Sequence, residues 1–293
     1  MQFNERCRIN NRLLNRALDE KKALIAVHRG TRGGNIIENT IAAYDIAVSM
    51  GADLLECDVS MSTDGKLYLF HDGEEKRLLN VKANICTMDS AQIDRLEYRN
   101  SIGLPSGVHV QRFEQVLKRY CSTSQLLNVD RSWNYLPQTT QVLRQCTKAL
   151  EQVIIKTPVK AEYLDFFSEA PEPYMYMPIA QSAQEIDQVL ARQNINTVGI
   201  EIIAQHRDDE LLSEAYIRSL REKGLFVWVN TLVLSNLPNH NLSGGLNDDR
   251  AVQGRPDDTW GTLFSRGVNI LQTDWPSQLK SYRDAYFHLN RMV

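Results

Sequence analysis

Between residues 28 and 72 the chain carries His28-Arg29, Glu38, Glu56-Cys57-Asp58 and His71-Asp72. Histidine exchanges a proton near neutral pH, so a pair of them can divide proton removal and proton donation. Glu56 and Asp58 stand two apart behind the apolar Leu54-Leu55. If that run is a strand, both carboxylates leave the same face, with α-carbons roughly 7 Å apart. Two carboxylates on one buried face repel and raise each other's pKa. A hard cation between them, Mg²⁺ or Ca²⁺, relieves that repulsion, because both ions take oxygen ligands. The bland alternative is a solvated acidic pair on an edge strand. A lone histidine is more often structural than catalytic, but two beside an acidic pair favour acid–base chemistry.

The elements that must position these groups are legible. Leu24 to Val27 is a short apolar run suited to a strand buried on both faces, and it ends in His28-Arg29-Gly30. Asp64-Gly65 marks a turn before Leu67 to Phe70, too soon for a helical crossover. That second run is expected to return antiparallel and bring His71-Asp72 back toward His28. Asn39 or Thr40 can cap a helix that buries Ile41, Tyr44, Ala47 and Val48.

His28-Arg29-Gly30, Glu38-Asn39-Thr40, Gly51-Ala52-Asp53, Glu56-x-Asp58-Val59, Asp64-Gly65 and His71-Asp72, in that order, resemble the glycerophosphodiester phosphodiesterase family. The likeness is densest over residues 24 to 80 and continues thinly to Gln272-Thr273-Asp274-Trp275-Pro276. It implies one divalent cation, Mg²⁺ or Ca²⁺, held by Glu56, Asp58 and a third carboxylate on the next barrel strand. Here that position is Asp130, where the family usually has glutamate, and Ser132 stands where it has lysine. Lys156, at the end of the following strand, is the candidate replacement for that lysine; otherwise it is a snorkelling surface lysine. The resemblance assigns His28 as base and His71 as acid, with Arg29 gripping phosphate oxygens in a fork. Glu38 is expected to orient His28 or Arg29, or else only to favour the positive end of a helix. Glu201, inside an apolar strand, is expected at the barrel mouth facing substrate hydroxyls, and Trp228 is expected to line a head-group pocket or pack in the core. The nucleophile is left open between water and a neighbouring hydroxyl of the substrate.

The rest of the chain supports a single domain over 1–293. Residues 10 to 20 place Leu13, Leu14, Ala17 and Leu18 on one stripe, fit to close the bottom of a barrel. Beyond Phe113, strand and helix patterns alternate, with apolar runs at 126–129, 153–155, 174–180, 197–203, 226–229 and 268–271. With the two early strands these make about eight, which implies a TIM (β/α)8 barrel. A doubly wound open sheet would show a glycine-rich phosphate loop after the first strand, and none is present. Residues 60 to 110 read as a small insertion after the second barrel strand, over the mouth. Residues 233 to 262 are too polar for an element and read as a long loop on the catalytic face; some bacterial members of the family share its Gly-Gly, Asp-Asp and Trp-Gly pattern.

Net charge of −3 and the absence of a basic groove with interleaved aromatics argue against a nucleic-acid partner. No apolar run of about twenty residues exists to insert stably in a membrane. Five scattered cysteines without metal-ligand spacing and no secretory leader suit a cytoplasmic enzyme. The expected partner is a small-molecule phosphodiester, cut to an alcohol and glycerol 3-phosphate. Alternatives are the same chemistry on a lysophospholipid, a glycerophosphoinositol or a sugar phosphodiester, or a catalytically inactive barrel that binds phosphodiesters. Oligomeric state is left open.

Overall fold

A computed structural model of the chain describes residues 3–146, 148–234 and 240–289. The first strands are β1 (Leu24–Val27), β2 (Leu54–Met61) and its antiparallel return β3 (Leu67–Leu69). A hairpin of β4 (Glu97–Arg99) and β5 (Pro105–His109) follows. Then come β6 (Leu126–Asp130), β7 (Val153–Pro158), β8 (Met175–Ala180), β9 (Gly199–Ile202), β10 (Phe226–Asn230) and β11 (Ile270–Thr273). Strands β1, β2 and β6 to β11 pair in parallel in the order β1-β11-β10-β9-β8-β7-β6-β2, and β1 also pairs with β2, closing the ring. Helices connect the barrel strands, as a (β/α)8 barrel requires.

Strand alternation sorts the apolar side chains into two layers. Leu24, Ala26, Leu54, Leu126, Ile154, Met177, Phe226, Trp228 and Ile270 form one buried cluster inside the ring. Leu14 and Leu18, from the helix Arg12–Lys21, join that cluster and plug it from below. The intervening residues, among them Ile25, Val27, Leu55, Val129, Ile155 and Val227, pack outward against helices such as Phe113–Tyr120. Thr40 caps the helix Ile41–Ser49, its side chain accepting from the Ala43 N–H.

Residues 67 to 110 surround a small core of their own, in which Tyr68, Phe70, Leu78, Ile85, Ile93 and Tyr98 pack on Ile37. The polar stretch 233–262 contradicts its sequence reading. It contains the helix Asp248–Val252, a π-helical turn Asp257–Gly261 and the helix Thr262–Ser265. Trp260, with Leu263 and Phe264 just beyond it, anchors this segment in the outer core, and its Asp248 is buried and hydrogen-bonded. Residues 235–239 of that stretch lie outside the described residues.

Candidate active site

The polar groups emerge where the barrel strands end. Just beyond β1, Arg29 takes a left-handed backbone (φ 54°), as do Asn39 (φ 56°) and Arg131 (φ 61°). Such conformations are uncommon for residues with a Cβ, and they gather here around one site. Gly30 (φ 72°) is required by packing as well, because a Cβ there would lie 2.7 Å from the Ala43 carbonyl carbon.

That turn lowers Arg29 onto the acidic face. Its backbone N–H donates to Glu56 Oε2 at 2.9 Å, and its Nε stands 2.8 Å from Asp58 Oδ2. Its Nη1 donates to Glu38 Oε1 at 2.9 Å. Glu38 therefore orients Arg29, one of the two roles expected of it. Glu38 also takes Arg32 at 2.5 Å and Arg77 at 2.7 Å. Burial alone would raise its pKa, but Arg77, Arg32 and Arg29 hold it well below the usual carboxylate range. Asn39 donates to Asp58 Oδ2 at 2.9 Å while its own Oδ1 accepts the Asp58 N–H.

Glu56 and Asp58 do share the inner face, and Asp130 lies directly across from Asp58 in the β2–β6 register. Cys57 points the other way, into the outer core. Burial, then Asp58 and Asp130, push Glu56 well above its ordinary pKa. Asp130 is pushed up to about 6 by burial, with Lys156 opposing and Glu201 and Asp58 adding. Asp58 is lowered: burial is outweighed by Arg29, His71 and His28. Three neighbouring carboxylates, of which Glu56 and Asp130 are raised in part by the charge of Asp58, are the donor chemistry a hard cation takes. Their present geometry is more open than a cage, and among the described residues no three His, Cys, Asp or Glu groups are arranged to hold an ion. The reason is local. Arg29 engages Glu56 and Asp58, and Asp130 accepts the Arg131 N–H at 2.7 Å.

His28 Nδ1 lies 3.1 Å from Asp274 Oδ1, and His71 Nδ1 lies 2.8 Å from the Asp72 carbonyl oxygen. Both contacts select the Nδ1–H tautomer and leave Nε2 as the working nitrogen. Burial lowers the His71 pKa, against the opposing pull of Asp58. The two histidines face one cleft of about 430 Å³, shared with Arg29, Arg131, Leu232 and Asp274. Arg131, which the sequence did not single out, donates to Asp72 at 2.7 Å and so braces the His71 turn.

Lys156 is fully buried, so the snorkelling alternative fails. Its Nζ is 2.5 Å from Glu201 Oε2 and 3.1 Å from the centre of the Trp228 ring. Asn230 links the group, donating to Glu201 at 2.8 Å and accepting from Trp228 Nε1 at 2.7 Å. Glu201 (2% exposed) and Trp228 (0%) lie within the barrel, beneath the cleft, rather than on its wall. The structure thus sets Lys156, Glu201 and Trp228 as a floor to the carboxylates, apart from any head-group pocket.

Asp248 was also missed. It is buried and accepts from Thr231 Oγ1 (2.6 Å), Trp260 Nε1 (2.9 Å), Thr273 Oγ1 (2.8 Å) and the Asp274 N–H (3.1 Å). It thereby joins the ends of β10 and β11 to the 248–265 segment and fixes the backbone of the residue that holds His28. Burial pushes its pKa up to about 7 against those four donors. The available signal was Asn247 ahead of Asp248-Asp249, an N-cap whose side chain accepts from the Arg250 N–H.

A family model described as a domain of unknown function matches residues 174–283. A Caldanaerobacter subterraneus protein named glycerophosphodiester phosphodiesterase is 37% identical over 76 residues, 26% of this chain and 31% of that one. A glycerophosphoryl diester phosphodiesterase from Parabacteroides distasonis shares the fold with TM-score 0.70 at 18% identity, over 90% of this chain and 86% of that one. The chain resembles the glycerophosphodiester phosphodiesterases. An Oleispira antarctica phosphodiesterase, solved with the product sn-glycerol-3-phosphate, superposes with TM-score 0.64 at 17% identity, over 89% of this chain and 96% of that one. The chain aligns with less than half the length of the first curated relatives, 40% and 27%. Among the described residues no helix is long and apolar enough to cross a membrane, and all five cysteines are free.

Proposed function

We propose that this protein is a cytoplasmic, metal-dependent phosphodiesterase that hydrolyses glycerophosphodiesters to an alcohol and glycerol 3-phosphate. The observation that carries the reading is the convergence of His28 and His71 on one cleft with Arg29 and three carboxylates beside it. The fold shared with an enzyme holding glycerol 3-phosphate supports the product class.

In this reading Glu56, Asp58 and Asp130 hold one Mg²⁺ or Ca²⁺, which supplies positive charge against the phosphoryl oxygens when bound. Arg29, displaced from part of its carboxylate network, turns its fork to those same oxygens. His28 Nε2 takes a proton from water as the water oxygen bonds to phosphorus, and the carboxylate of Asp274 stabilises the resulting imidazolium. His71, protonated on both ring nitrogens when it acts as the acid, gives its Nε2 proton to the departing alkoxide as the P–O bond breaks and keeps its Nδ1–H on the Asp72 carbonyl. If a neighbouring substrate hydroxyl replaces water as nucleophile, the first step releases the alcohol and leaves a cyclic phosphate, which water then opens to glycerol 3-phosphate with His71 as base and His28 as acid.

The test is purified protein stripped with a chelator and resupplied with Mg²⁺ or Ca²⁺, with glycerophosphocholine as substrate and phosphorus NMR as the readout. A glycerol 3-phosphate signal that appears only with metal is the expected result. Glycerophosphocholine, glycerophosphoethanolamine and glycerophosphoinositol all left intact with either ion would overturn the assignment.

A further inference from the structure

A second cavity, of about 500 Å³, opens beside the catalytic cleft. Its walls come from the loop after β1 (Arg32 to Glu38), from Arg77-Leu78, and from the β4–β5 hairpin at Arg99 to Gly103. Arg32 and Arg77 line both this cavity and the catalytic cleft, so the two spaces adjoin at these side chains. The charged lining consists of three arginines, Arg32, Arg77 and Arg99, against one carboxylate, Glu38. Glu38 already receives Arg29, Arg32 and Arg77. Arg77 spends its Nε on Glu74 at 2.7 Å.

Arg99 differs from the other two. Among the described residues it forms no ion pair, and its Nε, closed off from solvent, has no hydrogen-bond partner. A guanidinium has five donors in a fixed plane and is always charged, so a half-buried one without a partner is unfinished. The terminal nitrogens of Arg99 are not closed off in this way, and among the described residues they too have no partner, so an acceptor entering the cavity can meet them. Carboxylate and phosphate are the acceptors whose geometry matches the fork.

We propose that this cavity is a head-group subsite that takes diesters whose alcohol carries a second anionic group, bound by Arg99. The proposal rests on the phosphodiesterase reading for the position of the first phosphate, between Arg29 and the two histidines. Arg32 and Arg77, held by Glu38, supply background positive charge along the passage, while Arg99 makes the direct contact. Ile36, Ile37 and Leu78 form the apolar side of the cavity and leave little polar surface for a cationic head group.

The experiment separates binding from turnover. Full-length His28→Ala protein is titrated calorimetrically with glycerophosphoserine and glycerophosphocholine, and the titration is repeated with His28→Ala carrying Arg99→Gln and Arg99→Lys. The expected result is about tenfold tighter binding of the serine diester, the worth of a charge-assisted hydrogen bond. Arg99→Gln brings the two affinities together, and Arg99→Lys restores part of the preference because the charge returns without the fork. Equal affinities in the Arg99 protein, or a preference that survives Arg99→Gln, would overturn the subsite. Thermal melting of each variant shows that the comparison is made on folded protein. Failure of the catalytic reading would show separately, as wild-type protein that hydrolyses neither diester.

Discussion

The lower and upper halves of the barrel are built from the same eight strands to opposite rules. Below, the inward positions are Leu24, Leu54, Leu126, Ile154, Phe226 and Ile270, plugged by Leu14 and Leu18. Two residues further along β2, β6, β7 and β11 the inward positions become Glu56, Asn128, Lys156 and Gln272, all buried, while β1 and β10 keep Ala26 and Trp228 there. One layer is closed by dispersion and dehydration, which any well-packed apolar set supplies. The other consists of groups that cost free energy to bury and depend on specific polar partners, as Glu56 does on the Arg29 N–H, Asn128 on the Ile154 carbonyl and Lys156 on Glu201. The same backbone thus separates what keeps the protein folded from what lets it act, and each half should fail in its own way.

The largest separation is expected at the cleft. His28→Ala should lower turnover by about 10²- to 10⁴-fold, the usual worth of a positioned acid–base group. Its melting temperature should stay close to wild type, since the His28 side chain makes its hydrogen bond to a single partner, Asp274, at the rim of the cleft. Lys156→Met probes the boundary between the halves. Stranding Glu201 in the barrel should cost about 3–5 kcal/mol of stability by chemical denaturation, and a Lys156→Met/Glu201→Met pair should recover most of it. If the single variant were as stable as wild type, the buried pair would not be holding the floor.

Leu14→Ala tests the opposite end. It should destabilise by about 2–5 kcal/mol through the cavity it leaves, with turnover per folded molecule unchanged. Loss of turnover in folded protein would show that the two halves are coupled.

The smallest expected effect is at Asp248. Asp248→Asn should cost about 1–3 kcal/mol, because an amide cannot accept from all four donors. The pH dependence has a definite sign. The folded protein keeps a proton on Asp248 up to about pH 7, whereas the ordinary value is 3.8. The folded state therefore binds more protons between those limits, and stability from this group is complete below about pH 4 and declines toward pH 7. The advantage of wild type over Asp248→Asn should shrink across that window and then level off. A difference constant from pH 4 to 8 would contradict the raised pKa.

Much of this architecture could be read from the chain. Period-two alternation placed Glu56 and Asp58 together and sent Cys57 outward, and the short Asp64-Gly65 connection forced the antiparallel return that delivers His71. Apolar runs located the barrel strands, and the stripe of Leu14 and Leu18 located the plug. What stayed hidden depends on contacts between distant segments. Glu201 looked like a mouth residue because a polar group in an apolar strand is expected to seek water, whereas Trp228 takes the core packing that was one of its two readings. The Lys156 ammonium, brought from two strands away, let Glu201 stay inside instead. The burial of Asp248 within a stretch read as a polar loop was hidden in the same way, since its four donors come from Thr231, Trp260, Thr273 and Asp274. Sequence pattern reports local alternation well, but a buried polar group is legible only when its partners are.

The most direct test of the central claim is the rate of glycerophosphodiester hydrolysis by metal-loaded wild type and by the His28→Ala and His71→Ala variants, each with its melting curve. The account predicts turnover by wild type and near-complete loss in both variants at an unchanged melting temperature. Variants that keep wild-type rates while remaining folded would contradict it, and would move the chemistry away from the end of the barrel where these two histidines meet.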